Sequence, residues 1–128
     1  MHHQFSGTVT SPNYPNAYPN SAKCCSKIVL NNTQSVYIWF SSFKIEFHES
    51  CSFDYMLVVP GKLANQTCRE AVIDSQTPAR CGETKPNKTL IPSNVVIIYF
   101  KSDSVSDGST GFHMHYQGGK LEYISEIP

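Results

Sequence analysis

Three acidic side chains fall at the ends of strand-like runs: Glu46 in FKIEF, Asp54 in CSFDY and Asp103 in FKSDS. Each follows or interrupts an aromatic-rich stretch, so the ring enters a core while the carboxylate stays near a rim. Several anionic oxygens on one rim repel one another unless something neutralises them. A hard cation does so, and Ca²⁺ accepts about 6–8 oxygens, backbone carbonyls of a polar, glycine-containing loop such as FKSDSVSDGSTGF included. The plainer reading is three solvated carboxylates, because the sequence does not show that the three strand ends converge. His113 and His115 stand two apart on a strand-like run, so both rings could reach one side as half of a Zn²⁺ site. Two further ligands are not visible, and a solvated outer face is the simpler account. No G-x-S-x-G elbow, redox C-x-x-C pair or phosphate-cradling glycine loop is present, so nothing selects an enzyme and no catalytic residue is assigned. Trp39 reads as core or half-buried sheet.

The chain around these residues has 128 positions, enough for one ordinary hydrophobic core. Lysine plus arginine equals aspartate plus glutamate at 10 each, and charged residues make up 16% of the chain. Without a basic field, nucleic acid is excluded as an expected partner. The longest apolar runs, SVYIWF and NVVIIYF, fall far short of the roughly 20 residues a membrane-spanning helix needs. Five cysteines (Cys24, Cys25, Cys51, Cys68 and Cys81) accompany N-x-T sequons at Asn31, Asn65 and Asn87. Together they predict an oxidising, secreted or extracellular setting with glycosylation. MHHQFSG lacks the apolar stretch of a signal peptide, so the sequence reads as a mature or excised piece. Residues 1–6 are expected to be disordered or expression-derived, with His2 and His3 as tag residues outside any site.

No helical period persists; short alternating runs recur between Pro, Asn, Gly and Ser, the rhythm of an all-β chain. SPNYPNAYPN predicts an extended, turn-rich entry segment. SKIVL and SVYIWF flank NNTQ and predict a hairpin. In SFKIEF, Phe43, Ile45 and Phe47 are expected on one face, Lys44 and Glu46 on the other. FDYMLVV and NVVIIYF suit strands covered on both sides. GFHMHYQ alternates, with Phe112, Met114 and Tyr116 inward and His113, His115 and Gln117 outward. The stretch from Pro60 to Arg80 is the least regular, with REAVID a brief strand or turn. Seven or eight strands without helices must bury their faces on one another, which predicts a two-sheet antiparallel sandwich. Residues 7–117 form that domain, and 118–128 a tail or linker.

Beyond this reading, GTVTSPNYPNAYP, a cysteine before IVL, SSFKIEFHESCSFDYMLVV, RCGE and YFKSDSVSDGSTGFHMHY resemble, in order and spacing, the successive signatures of the CUB domain family. The resemblance implies a jelly-roll β-sandwich acting as a noncatalytic extracellular interaction module. It implies one Ca²⁺ held by Glu46, Asp54, Asp103 and the backbone oxygen of Val105, with Ser106 nearby and Tyr18 supporting the cluster. It implies a partner that presents Lys or Arg to the acidic rim; extracellular calcium sites in general set the expected affinity at the weak end, on the order of 10⁻⁴–10⁻³ M. A Cys51–Cys81 disulfide follows from it, and Cys68 is left to pair with Cys24 or Cys25. The family's first bridge needs a cysteine upstream of GTVTSPNYP, which the sequence lacks, and Ser26 stands where a tryptophan is usual. Two alternatives are a glycan-binding, spermadhesin-like secreted protein and an accessory domain of a secreted protease.

Overall fold

The computed structural model describes residues 6–30, 34–62, 66–74, 76–105 and 107–118. Among these residues, seven strands and one short helix follow in the order β1 (Ser6–Thr10), β2 (Lys23–Val29), β3 (Val36–Lys44), β4 (Tyr55–Pro60), α1 (Cys68–Asp74), β5 (Thr89–Ile91), β6 (Val95–Lys101) and β7 (Gly111–Gly118). They form two antiparallel sheets, one ordered β1-β7-β3-β5 and the other β2-β6-β4. The sheets stack as a jelly-roll-like sandwich.

The period-two pattern explains the core, with one register shift between Phe40 and Ser42 that returns Phe43 to the inward face. Val36, Ile38, Phe40 and Phe43 of β3, with Phe112 and Met114 of β7, turn inward against Met56 and Val58 of β4 and Val96, Ile98 and Phe100 of β6. The continuous apolar runs of β4 and β6 have a second reason. Their alternate residues Leu57, Val59 and Ile97 pack under α1 through Ala71, so both faces of that sheet are covered.

Three local expectations fail. SKIVL and SVYIWF do not form a hairpin: β2 pairs with β6, and β3 with β7 and β5, so the chain crosses between sheets there. REAVID is helical rather than strand or turn. Thr67 Oγ1 accepts from the Glu70 N–H at 3.1 Å while Glu70 Oε1 accepts from the Thr67 N–H at 2.8 Å, a reciprocal cap that starts α1. Phe47 does not share the inward face with Phe43 and Ile45, because β3 ends at Lys44, Ile45 makes one isolated bridge to Gly82, and Phe47 emerges 69% exposed.

Two disulfides brace the edges, Cys51–Cys81 and Cys25–Cys68. The second ties β2 to the first turn of α1. Cys24 is exposed with a free thiol.

Candidate metal centre

Glu46, Asp54 and Asp103 arrive from three places at one end of the sandwich. Glu46 lies just past β3, Asp54 just before β4 and Asp103 just past β6. Pairing of Tyr55 with Lys101 brings the start of β4 level with the end of β6. One carboxylate oxygen from each acid lies within 4.8 Å of the others. The sequence pattern therefore translates into spatial convergence, which alternation alone could not show.

Asp54 is fully buried, and both its oxygens are engaged: Oδ2 accepts from the Tyr18 hydroxyl at 2.5 Å, and Oδ1 from the Asp103 N–H at 2.7 Å. Tyr18 Oη in turn accepts from the Glu46 N–H at 3.1 Å. One phenol thus connects two of the three acids. Burial, then the hydrogen bond to Asp54, pushes the Tyr18 phenol well above its ordinary range, so it stays a donor. Its ring sits edge-on to Phe100 at 4.9 Å between centroids, anchoring the cluster to the core.

The 18–22 segment is stitched to the strand end that carries Asp103. Ser102 Oγ donates to Pro19 O at 2.7 Å and accepts from the Ala22 N–H at 2.8 Å, while the Ser21 N–H donates to Asp103 O at 2.6 Å. These serine contacts had no readable signal in the sequence. Beneath the rim, Ser11 Oγ accepts from the Phe112 N–H at 2.9 Å. Gly111, at φ +86°, passes so close to Ser11 that a Cβ there would collide with Oγ.

Glu46 is half-buried, and its Oε1 is closed off from solvent without a hydrogen-bond partner among the described residues. Burial first, and then the negative charges of Asp54, Asp103 and Asp107, raise its carboxyl above the ordinary value. An orphaned oxygen on a glutamate clustered with two further carboxylates is what a hard cation would satisfy, and oxygen-only donors fit Ca²⁺.

Val105 follows in the same loop, 67% exposed, and its N–H donates to Asp103 Oδ1 at 3.1 Å. Asp107 Oδ1 accepts from the Ser109 N–H at 2.9 Å, a turn contact. Ser106, Asn31 and Asn65 lie outside the described residues, and Asn87 is exposed. Exposed Phe47 and Phe53, the latter 42% exposed, flank Glu46 and Asp54. Sequence reasoning missed both, because aromatic residues beside strand ends read as core.

The fold and rim define a two-sheet antiparallel β-sandwich with an acidic cluster at one end. A model of the CUB domain family matches residues 2–116, and the chain belongs to that family, whose members serve as noncatalytic interaction modules of extracellular proteins. It is 31% identical over 111 residues to the Cubilin homolog of Drosophila melanogaster, covering 86% of this chain and 3% of that protein. It is 35% identical over 112 residues to Bone morphogenetic protein 1 of Xenopus laevis, covering 87% and 14%. The chain thus spans a small fraction of the length of these relatives. Among solved structures, the MASP-1 CUB2 domain bound to Ca²⁺ superposes with a TM-score of 0.69 at 30% identity, covering 87% of this chain and 90% of that one.

Proposed function

We propose that the acidic rim binds one Ca²⁺ and that the ordered rim captures a Lys or Arg side chain of an extracellular protein partner. The observation that carries this reading is the buried, unpartnered Glu46 Oε1 within a three-carboxylate cluster. Glu46, Asp54, Asp103 and the carbonyl of Val105 would hold the ion, with Ser106 alongside. The likeness to a Ca²⁺-bound CUB2 domain of MASP-1 supports the same assignment.

Each residue then has a task. Tyr18 and the Asp103 N–H fix the Asp54 carboxylate through one lone pair on each oxygen, leaving the second available. A bound ion would supply positive charge that relieves the mutual repulsion of the acids and would hold the strand ends in place in advance, which lowers the ordering cost of docking. Carboxylate oxygens still facing outward accept charge-assisted hydrogen bonds from a partner's ammonium or guanidinium. Phe47 and Phe53 offer apolar surface for the aliphatic stem of that side chain.

The test is thermal unfolding in EDTA and in rising CaCl₂, for the parent and for Asp103→Asn. A calcium-dependent rise in midpoint that the variant loses is the expected result. No shift up to millimolar calcium in the parent overturns the ion, and with it the calcium-ordered capture mechanism.

A further inference from the structure

The outer face of the four-stranded sheet carries a row of ring side chains that the rim does not use. His113 and His115 both leave β7 on that side, with ring centroids 4.6 Å apart and planes within 20°. His115 stacks in turn on Trp39 of β3 at 5.4 Å and 7°, and Tyr14 closes against His113 at 5.4 Å. Lys88 ends the row, its ammonium 5.0 Å from the centroids of both Trp39 and Tyr37. Both histidines are half-buried. Because neighbouring rings cover the imidazole faces, the ring edges, where the nitrogens lie, are the parts left for chemistry.

His115 Nε2 lies 3.1 Å from Ser41 Oγ. In the tautomer where Ser41 accepts from Nε2–H, the lone pair of His115 falls on Nδ1. A metal-binding imidazole is oriented in this way, its second nitrogen held by an acceptor. β7 lies between β1 and β3, so the pair stands on an internal strand rather than a loop.

We propose that His113 and His115 form a two-imidazole chelate for a borderline divalent transition ion, Cu²⁺ or Zn²⁺, whose remaining positions are open to water or to a ligand from a partner. Two nitrogens each about 2.0–2.1 Å from one ion stand at most about 4.2 Å apart, and an imidazole lone pair lies in its ring plane, so chelation requires the His113 ring to turn out of the stack until the two planes converge on the ion. Imidazole nitrogen suits copper and zinc, whereas the carboxylate rim suits calcium, so the two sites separate by chemistry as well as by position. Among the described residues no third His, Cys, Asp or Glu joins the pair. The site is therefore a half-site, which an imidazole or carboxylate from outside can complete.

Trp39 is the chain's one tryptophan and stacks on His115, so Cu²⁺ at the pair quenches its fluorescence. The titration is done with excess Ca²⁺ present and in a His2→Ser/His3→Ser background, because the N-terminal histidines compete for copper. The expected result is saturable quenching at sub-millimolar copper, weakened about tenfold or more by His113→Gln and by His115→Gln, and about tenfold by Ser41→Ala, as for loss of an orienting partner. His113→Gln leaves the Trp39–His115 stack in place, so unchanged emission before copper is added separates lost chelation from lost fold. Absence of saturable quenching, or quenching that survives either histidine substitution as for a lone surface imidazole, overturns the proposal.

Discussion

Tyr18 donates to Asp54 Oδ2 at 2.5 Å across a sequence separation of 36, and the same oxygen of Tyr18 receives the Glu46 N–H. The contact joins the turn-rich entry segment to the start of β4 and holds the one fully buried carboxylate of the rim. Tyr18→Phe keeps the ring against Phe100 but strands Asp54 Oδ2 and the Glu46 amide. A loss of about 1–3 kcal/mol in unfolding free energy is expected. Urea denaturation measures it, and a change within error would show that water replaces the phenol at no cost.

Glu46 makes the calcium-free domain respond to pH in an unusual direction. Its carboxyl is raised above 4.5 in the folded state by burial and by the neighbouring acids. The folded state therefore binds more protons than the unfolded chain between 4.5 and that higher value, and stability falls as pH rises through this window. In EDTA, mild acidification should raise the unfolding midpoint of the parent relative to Glu46→Gln. With saturating calcium the trend should reverse, because protons then compete with the ion.

Gly111→Ala tests the backbone beneath the rim. Its φ of +86° disfavours a side chain, and the added methyl meets Ser11 Oγ, which also caps the Phe112 N–H. A cost of at least about 2 kcal/mol is expected, from strain together with overpacking. Thermal unfolding reads the loss, and an unchanged midpoint would mean that the Ser11 loop yields freely.

The bridge from Cys25 to Cys68 spans 43 residues and secures α1 over Leu57, Val59 and Ile97. Replacing both cysteines by serine should cost about 2–4 kcal/mol through the freed unfolded chain. Limited proteolysis should then cut first between β4 and β5. Cleavage elsewhere would argue that packing through Ala71, not the bridge, holds the helix.

Much of this architecture was legible. Alternation in GFHMHYQ placed Phe112 and Met114 inward and the histidines outward, as the register of β7 with β1 and β3 has them. The two-faced burial of β4 and β6 was written in their continuous apolar runs. What failed was non-local or terminal. Which strands pair depends on contacts far apart in sequence, so the adjacency of SKIVL and SVYIWF misled. Alternation also could not say where β3 stops, and Phe47 was lost to that. The Thr67–Glu70 spacing did carry a helix-start signal, but a seven-residue helix is too short to show its period. Strand ends bearing Glu46, Asp54 and Asp103 marked candidate ligands, whereas their separation, the orphaned Oε1 and the serine stitches needed coordinates.

The pairing of β1 with β7 sets Ser6 opposite Gln117, while Thr10 pairs with His113 at the end nearer the rim. Entry and exit of the described domain thus sit side by side at one pole, with the three carboxylates at the other. A domain wired in this way can hang as a pendant from a longer polypeptide, its acidic pole held away from the tether.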